Sequence, residues 1–113
     1  MNENNVKRLM DLPLKSIYTV GQGETKSGFE VYYLFEYKSG NFSEKADNVY
    51  MIYSTTILGE WITENFEKLK KAIFELEVEF RDSQYGKKIA VPVRVKKIMD
   101  KPKVSFNVEE TGF

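Results

Sequence analysis

Residues 29–38 read FEVYYLFEYK, and apolar and polar positions alternate along them. Phe29, Val31, Tyr33, Phe35 and Tyr37 share one parity; Glu30, Tyr32, Leu34, Glu36 and Lys38 share the other. Successive side chains of a strand point to opposite faces, so the pattern predicts a strand with two unlike faces. The first set is uniformly apolar or aromatic and is expected to face the core. The second is mixed and is expected to face water or a ligand, which places Tyr32 and Leu34 outside. Residues 48–56 repeat the alternation, with Val49, Met51 and Tyr53 against Tyr50, Ile52 and Ser54. In residues 74–80 Phe74, Leu76, Val78 and Phe80 oppose Glu75, Glu77 and Glu79. In residues 88–98 Ile89, Val91, Val93 and Val95 are expected inward, and Lys88, Ala90, Pro92, Arg94 and Lys96 outward. The outward Glu and Lys/Arg rows can pair across that hairpin. Pro92 lacks an amide hydrogen and belongs at an edge or a bulge. A further β-rich segment, residues 14–20, precedes the glycine-rich bend GQGETKSG.

One stretch has the helical period instead. Ile62, Phe66, Leu69 and Ile73 recur at spacings of four, three and four, predicting a helix over about 58–73. Glu60, Glu64 and Glu67 come early and Lys68, Lys70 and Lys71 late, matching the helix dipole. Thr55 or Thr56 is the expected cap, and Trp61 lies beside the apolar stripe. The order is β–β–β–α–β–β, a mostly β (β+α) chain. Residues 1–13 are expected to be a flexible N-terminal segment, 14–99 one domain, and 100–113 a mobile acidic and aromatic tail.

Composition narrows the chemistry. The 113 residues contain no Cys and no His, which removes thiol nucleophiles, disulfides, imidazole bases and the common zinc ligands. No cofactor and no metal are expected, and the chain is not expected to be an enzyme. The first ten residues have no apolar signal core and no run is long enough to span a membrane, so a cytoplasmic protein without membrane partners is expected. Net charge is zero but uneven. Residues 1–82 carry ten basic and fourteen acidic side chains, and residues 83–103 carry seven basic and one acidic. A basic local surface is therefore compatible with the neutral total.

The strand order, with TKSGFEVYYLFEYKSG and the hairpin FELEVEFRDSQYGKKIAVPVRVKKI, resembles small OB-fold single-stranded DNA-binding proteins of phages and mobile elements. The resemblance covers roughly residues 14–98. It implies a five-stranded Greek-key barrel that binds oligonucleotides on the face of its second and third strands. Single-strand binders combine a cationic groove with aromatic rings on which bases stack. The resemblance thus implies a nucleic-acid site of Tyr32 and Tyr50 on the non-core faces, with Lys26, Lys38 and Lys45 at loop edges. Tyr85, Lys87 and Lys88 at the last hairpin loop, and Arg94 and Lys96 on the last strand, complete it. The implied role is an accessory of replication or recombination that binds single-stranded nucleic acid, DNA favoured. A second likeness concerns the end of the sequence, VEETGF. Bacterial single-stranded DNA-binding proteins end in an acidic peptide tipped by Phe that recruits protein partners. Glu109, Glu110 and Phe113 are the corresponding residues here, without the run of Asp or the Pro before the final Phe.

Other readings compete at each point. Outward tyrosines can form a cross-strand pair that only stabilises the sheet, or anchor a homodimer. In that case the chain is a protein-interaction module of a phage or mobile element, structural or host-targeting, binding through its aromatic face. Glu75, Glu77 and Glu79 are spaced to share a face and bind a hard cation, although three Glu opposite a lysine-rich strand make a solvated charged surface. GQGETKS lacks the Gly before Lys and the following helix of a phosphate-binding loop. An open α+β sheet would show the same alternation as a barrel.

Overall fold

The computed structural model describes residues 6–40, 42 and 45–101. Six strands form one mixed sheet: β1 (Val6–Arg8), β2 (Lys15–Glu24), β3 (Glu30–Glu36), β4 (Asn48–Tyr53), β5 (Ala72–Asp82) and β6 (Lys88–Asp100). One α-helix occurs among the described residues, α1 (Ile57–Leu69), and it joins β4 to β5. The sheet order is β1-β4-β3-β2-β5-β6. All neighbours are antiparallel except β1 and β4, which run parallel. Among the described residues no helix is long and apolar enough to cross a membrane.

The mostly β class with one helix is as expected, but there are six strands rather than five. The additional strand, β1, comes from the N-terminal segment expected to be loose. A 3-10 turn at Leu9–Asp11 follows it and touches both β4 and β6. Those strands lie towards opposite ends of the sheet, so the sheet curls around its core side. The helix is shorter than expected. It ends at Leu69, and β5 begins at Ala72, so Ile73 is a strand residue rather than the last step of the helical stripe.

Local chemistry explains the boundaries. Thr56 caps α1, its hydroxyl accepting from the Gly59 N–H at 2.9 Å. Gly59 is required there, because a Cβ would lie 2.0 Å from the Tyr53 carbonyl oxygen. The β2–β3 and β5–β6 turns repeat one device. Thr25 and Ser83 accept from the backbone N–H four residues on, at 3.1 Å in both, and Gly28 and Gly86 take positive φ. The β5–β6 turn is the reverse of a long hairpin with two bulges, near Val93 and Ile98.

The core lies on one face of the sheet, beneath α1. Tyr18, Val20, Tyr32, Leu34, Tyr50, Ile52, Phe74, Leu76 and Val78 come from the strands, and Leu58, Ile62 and Leu69 from the helix. Burying each such side chain contributes about 1.5–3 kcal/mol before the entropy of ordering it. The expected faces of β3 and β4 are therefore reversed. Tyr32 and Tyr50 are each 3% exposed on the core side. The all-apolar parity of β3 lies on the face opposite α1. The first half of β6 is reversed too. Ala90 is buried and pairs with Phe80, and Pro92 pairs with Val78 on the core side. The bulge at Val93 then shifts parity, so Arg94 and Lys96 face outward as expected, opposite Glu77 and Glu75. Pro92 stands beside that bulge in an edge strand, the position its missing N–H demands.

Candidate nucleic-acid interface

The reversal follows from side-chain hydrogen bonds made on the core side. Glu36 is inward and only 1% exposed, and its carboxylate is satisfied there. Ser16 Oγ donates to Oε2 at 2.5 Å, and Asn48 Nδ2 and the Tyr50 hydroxyl reach Oε1 at 2.9 and 3.1 Å. Tyr32 packs against Phe66 of α1, with ring centroids 5.5 Å apart, and its hydroxyl bonds Thr63 at 2.7 Å. Both tyrosines thus bury an apolar ring while their polar tips are paired. Burial, followed by the nearby Glu36 carboxylate and its hydrogen bond, and then by Asp11, pushes the Tyr50 phenol up to about 12. Burial, then Glu36 and Tyr50, pushes Tyr18 in the same direction. The Glu36 network ties β2, β3 and β4 together, while the Tyr18 hydroxyl beside it is buried without a hydrogen-bond partner among the described residues.

The helix-free face is the notable surface. Register sets its rows. Gly23, Val31 and Tyr53 align; next come Gly21, Tyr33, Met51 and Arg8; then Thr19, Phe35, Val49 and Val6. Gly21 and Gly23 leave a flat floor on β2, and the rings of β3 use it. Phe35 Cε2 lies 2.9 Å from where a Gly21 Cβ would stand, and Tyr33 Cε2 lies 2.7 Å from that of Gly23. Each ring thus reaches over β2 with its edge in the space that a β2 side chain would otherwise fill. The two centroids are 6.3 Å apart. At one end, Phe29 (59% exposed) and Tyr53 (41%) meet edge to face at 6.4 Å. Further along the same face, Ile17, Glu75 and Lys96 form one row and Lys15, Glu77 and Arg94 the next.

The residues singled out from the sequence are scattered relative to this surface. Tyr32 and Tyr50 are in the core and inaccessible to a base. Arg94 and Lys96 are exposed on the helix-free face. Tyr85 (80% exposed), Lys87 and Lys88 cluster at the β5–β6 tip, where Lys88 pairs with Asp82 at 2.8 Å. Lys38 and Lys45 are exposed in the β3–β4 loop at that same end of the sheet. Lys26 occupies the β2–β3 turn at the other end. Lys38 lies about 30 Å from that turn at ~3.3 Å per strand residue, and the β5–β6 tip lies further still. Glu109, Glu110 and Phe113 lie outside the described residues. Glu75, Glu77 and Glu79 do not converge: no metal-binding group of three acidic side chains occurs among the described residues, and Glu79 pairs with Arg81 at 2.8 Å. Sequence reasoning missed Tyr33, Phe35, Phe29, Tyr53 and Arg8 as surface groups. The usable signal was Gly-Gln-Gly in β2, which places two glycines on one face of a strand paired with the aromatic one. Comparisons with protein-family models, curated proteins and solved structures return no match for this chain.

Proposed function

We propose that the chain is a single-stranded nucleic-acid-binding module that stacks bases on the helix-free face of β3 and β4, DNA being the favoured ligand. The observation that carries this reading is the seating of Tyr33 and Phe35 on Gly23 and Gly21. Aromatic rings on a helix-free face beside side-chain-free backbone are open to bases of any sequence, and each stacked base contributes about 1–3 kcal/mol. Arg8 flanks the rings on one side, and Lys15, Arg94 and Lys96 stand on the other, within reach of a phosphate backbone.

The pairings also support an OB-like reading. If β2 to β6 are taken as barrel strands one to five, the links β2–β3, β3–β4, β2–β5 and β5–β6 fit a partly open Greek-key barrel. The face of its second and third strands is then the aromatic one, and the flanking loops carry Lys26 and the Tyr85, Lys87, Lys88 cluster.

The test is fluorescence anisotropy of a labelled poly(dT) oligonucleotide at low and moderate salt. Binding is expected to weaken with salt and to resist competition by duplex DNA. Tyr33→Ala with Phe35→Ala is expected to remove most of the affinity. Full affinity in that double variant would end the proposal. A second reading is favoured by Glu75 and Glu77, which balance the cations of the same face, and by the exposure of Phe29 and Tyr53. On that reading the surface anchors a second copy or another protein. A stable dimer in analytical ultracentrifugation, dissociated by Phe29→Ser and Tyr53→Ser, with no oligonucleotide binding, would select it.

A further inference from the structure

A separate groove of about 480 Å³ opens on the core side of the sheet, between the second half of α1 and edge strand β6. It shares no lining residue with the aromatic face. Its floor is Leu69 and Phe74, both buried, and its walls include Trp61 and the half-exposed Val95. Asn65 also lines it, but its side-chain amide is turned back onto the Trp61 carbonyl at 2.8 Å. The volume lies within the range of small-molecule sites, which are mostly apolar with a few convergent polar groups.

The charges of the groove are polarised along its length. Lys68 and Lys71 stand at the last turn of α1 and just beyond it. Trp61 lies about 10 Å back along the helix axis from Lys68. On the strand side Asp100 pairs with Ala72, Lys97 with Phe74, and Val95 with Leu76, so the sheet wall runs in the same order from charged to apolar. Lys97 and Asp100 form an ion pair at 2.5 Å. Glu67 of α1 is taken by Lys70 at 3.0 Å. Among the described residues Lys68 and Lys71 make no ion pair. The site therefore has two uncommitted cations at one end and an apolar trough leading away from them.

We infer that this groove binds a single-chain amphiphilic anion, a long-chain carboxylate. Its head sits between Lys68 and Lys71, and its chain runs over Leu69 and Phe74 towards Trp61 and Val95. One anionic head with one apolar body matches the polarity of the groove. An acidic peptide, with carboxylates spread along its length, would meet cations at one end alone, and a nucleic acid would find no exposed aromatic platform on the floor.

Trp61 is the sole tryptophan of the chain and lines the groove, so its fluorescence reads occupancy directly. The full-length protein is titrated with dodecanoate below its aggregation concentration, and with dodecanol as the uncharged control. Saturable one-to-one binding of dodecanoate is expected, with dodecanol weaker. Lys68→Gln with Lys71→Gln is expected to weaken dodecanoate about tenfold. Val95→Glu, a change at an exposed wall, is expected to abolish binding. Far-ultraviolet circular dichroism checks that both variants remain folded. Equal binding of dodecanol and dodecanoate, an unchanged double variant, or no saturation would overturn the inference. So would tighter occupation by a peptide of residues 104–113 of this chain, which would make the groove a seat for its own C-terminal segment.

Discussion

Gly23→Ala tests the aromatic face without removing an aromatic residue. The added Cβ would stand 2.7 Å from Tyr33 Cε2, whereas non-bonded carbons rest at about 3.5–4.0 Å, so the ring must move by about 1 Å. It can do so, because it is the far end of a side chain on an open face. The backbone at Gly23 has no positive φ, so Ala imposes no strain there. Ala also lowers the entropy of the unfolded chain, worth about 0.4–1 kcal/mol, which offsets the packing lost beneath the ring. Net stability is expected to change by less than about 1 kcal/mol in urea denaturation. Binding is expected to respond differently. If the displaced ring loses one stacked base, the cost is about 1–3 kcal/mol, roughly 5–150-fold in Kd for poly(dT) by anisotropy. In a Tyr33→Ala background the same substitution should have no further effect on Kd, since the two changes act through one ring. Unchanged affinity in Gly23→Ala, or an equal loss in both backgrounds, would refute the reasoning.

Three further outcomes follow from the packing. Gly59→Ala forces a Cβ to within 2.0 Å of the Tyr53 carbonyl oxygen and 2.8 Å of Ser54 Cα, both backbone atoms. It should cost about 2–3 kcal/mol net of the helix propensity gained, seen as a lower urea midpoint with an unchanged slope. Tyr50 ionises near 10 when unfolded and at about 12 when folded. Its contribution, about 2–3 kcal/mol, is therefore fully present below pH 10 and is lost as pH rises towards 12; Tyr50→Phe should flatten that part of the stability profile measured by urea titration at successive pH values. Tyr32→Phe removes the bond to Thr63 and should cost about 1 kcal/mol of stability while leaving oligonucleotide affinity unchanged, because that ring is buried against Phe66.

The sequence by itself determined the elements. Period-2 alternation marked β3, β4, β5 and β6, and the 3.6-residue period with Thr55 or Thr56 ahead of it marked α1. It also showed the bend at GQGETKSG, the hairpin loop at RDSQYGK and the placement of Pro92 at an edge or bulge. These are local properties, decided by the steric preferences of neighbouring residues. β1 escaped notice because a three-residue strand is too short to display a period, and its parallel partner β4 is some forty residues away.

Only the tertiary structure decided which face of β3 is inside. Both parities carry aromatic residues, so counting apolar side chains favoured the wrong one. The choice turned on partners from elsewhere in the chain. Thr63 meets the Tyr32 hydroxyl, and Ser16, Asn48 and Tyr50 satisfy Glu36. Gly21 and Gly23 give Phe35 and Tyr33 a floor on the other side. A bulge at Val93 likewise changed the parity of β6 partway along, and no alternating pattern contains that information. A buried polar group is tolerated where distant residues complete its hydrogen bonds. The helix-free aromatic surface exists because those partners assemble on the opposite face.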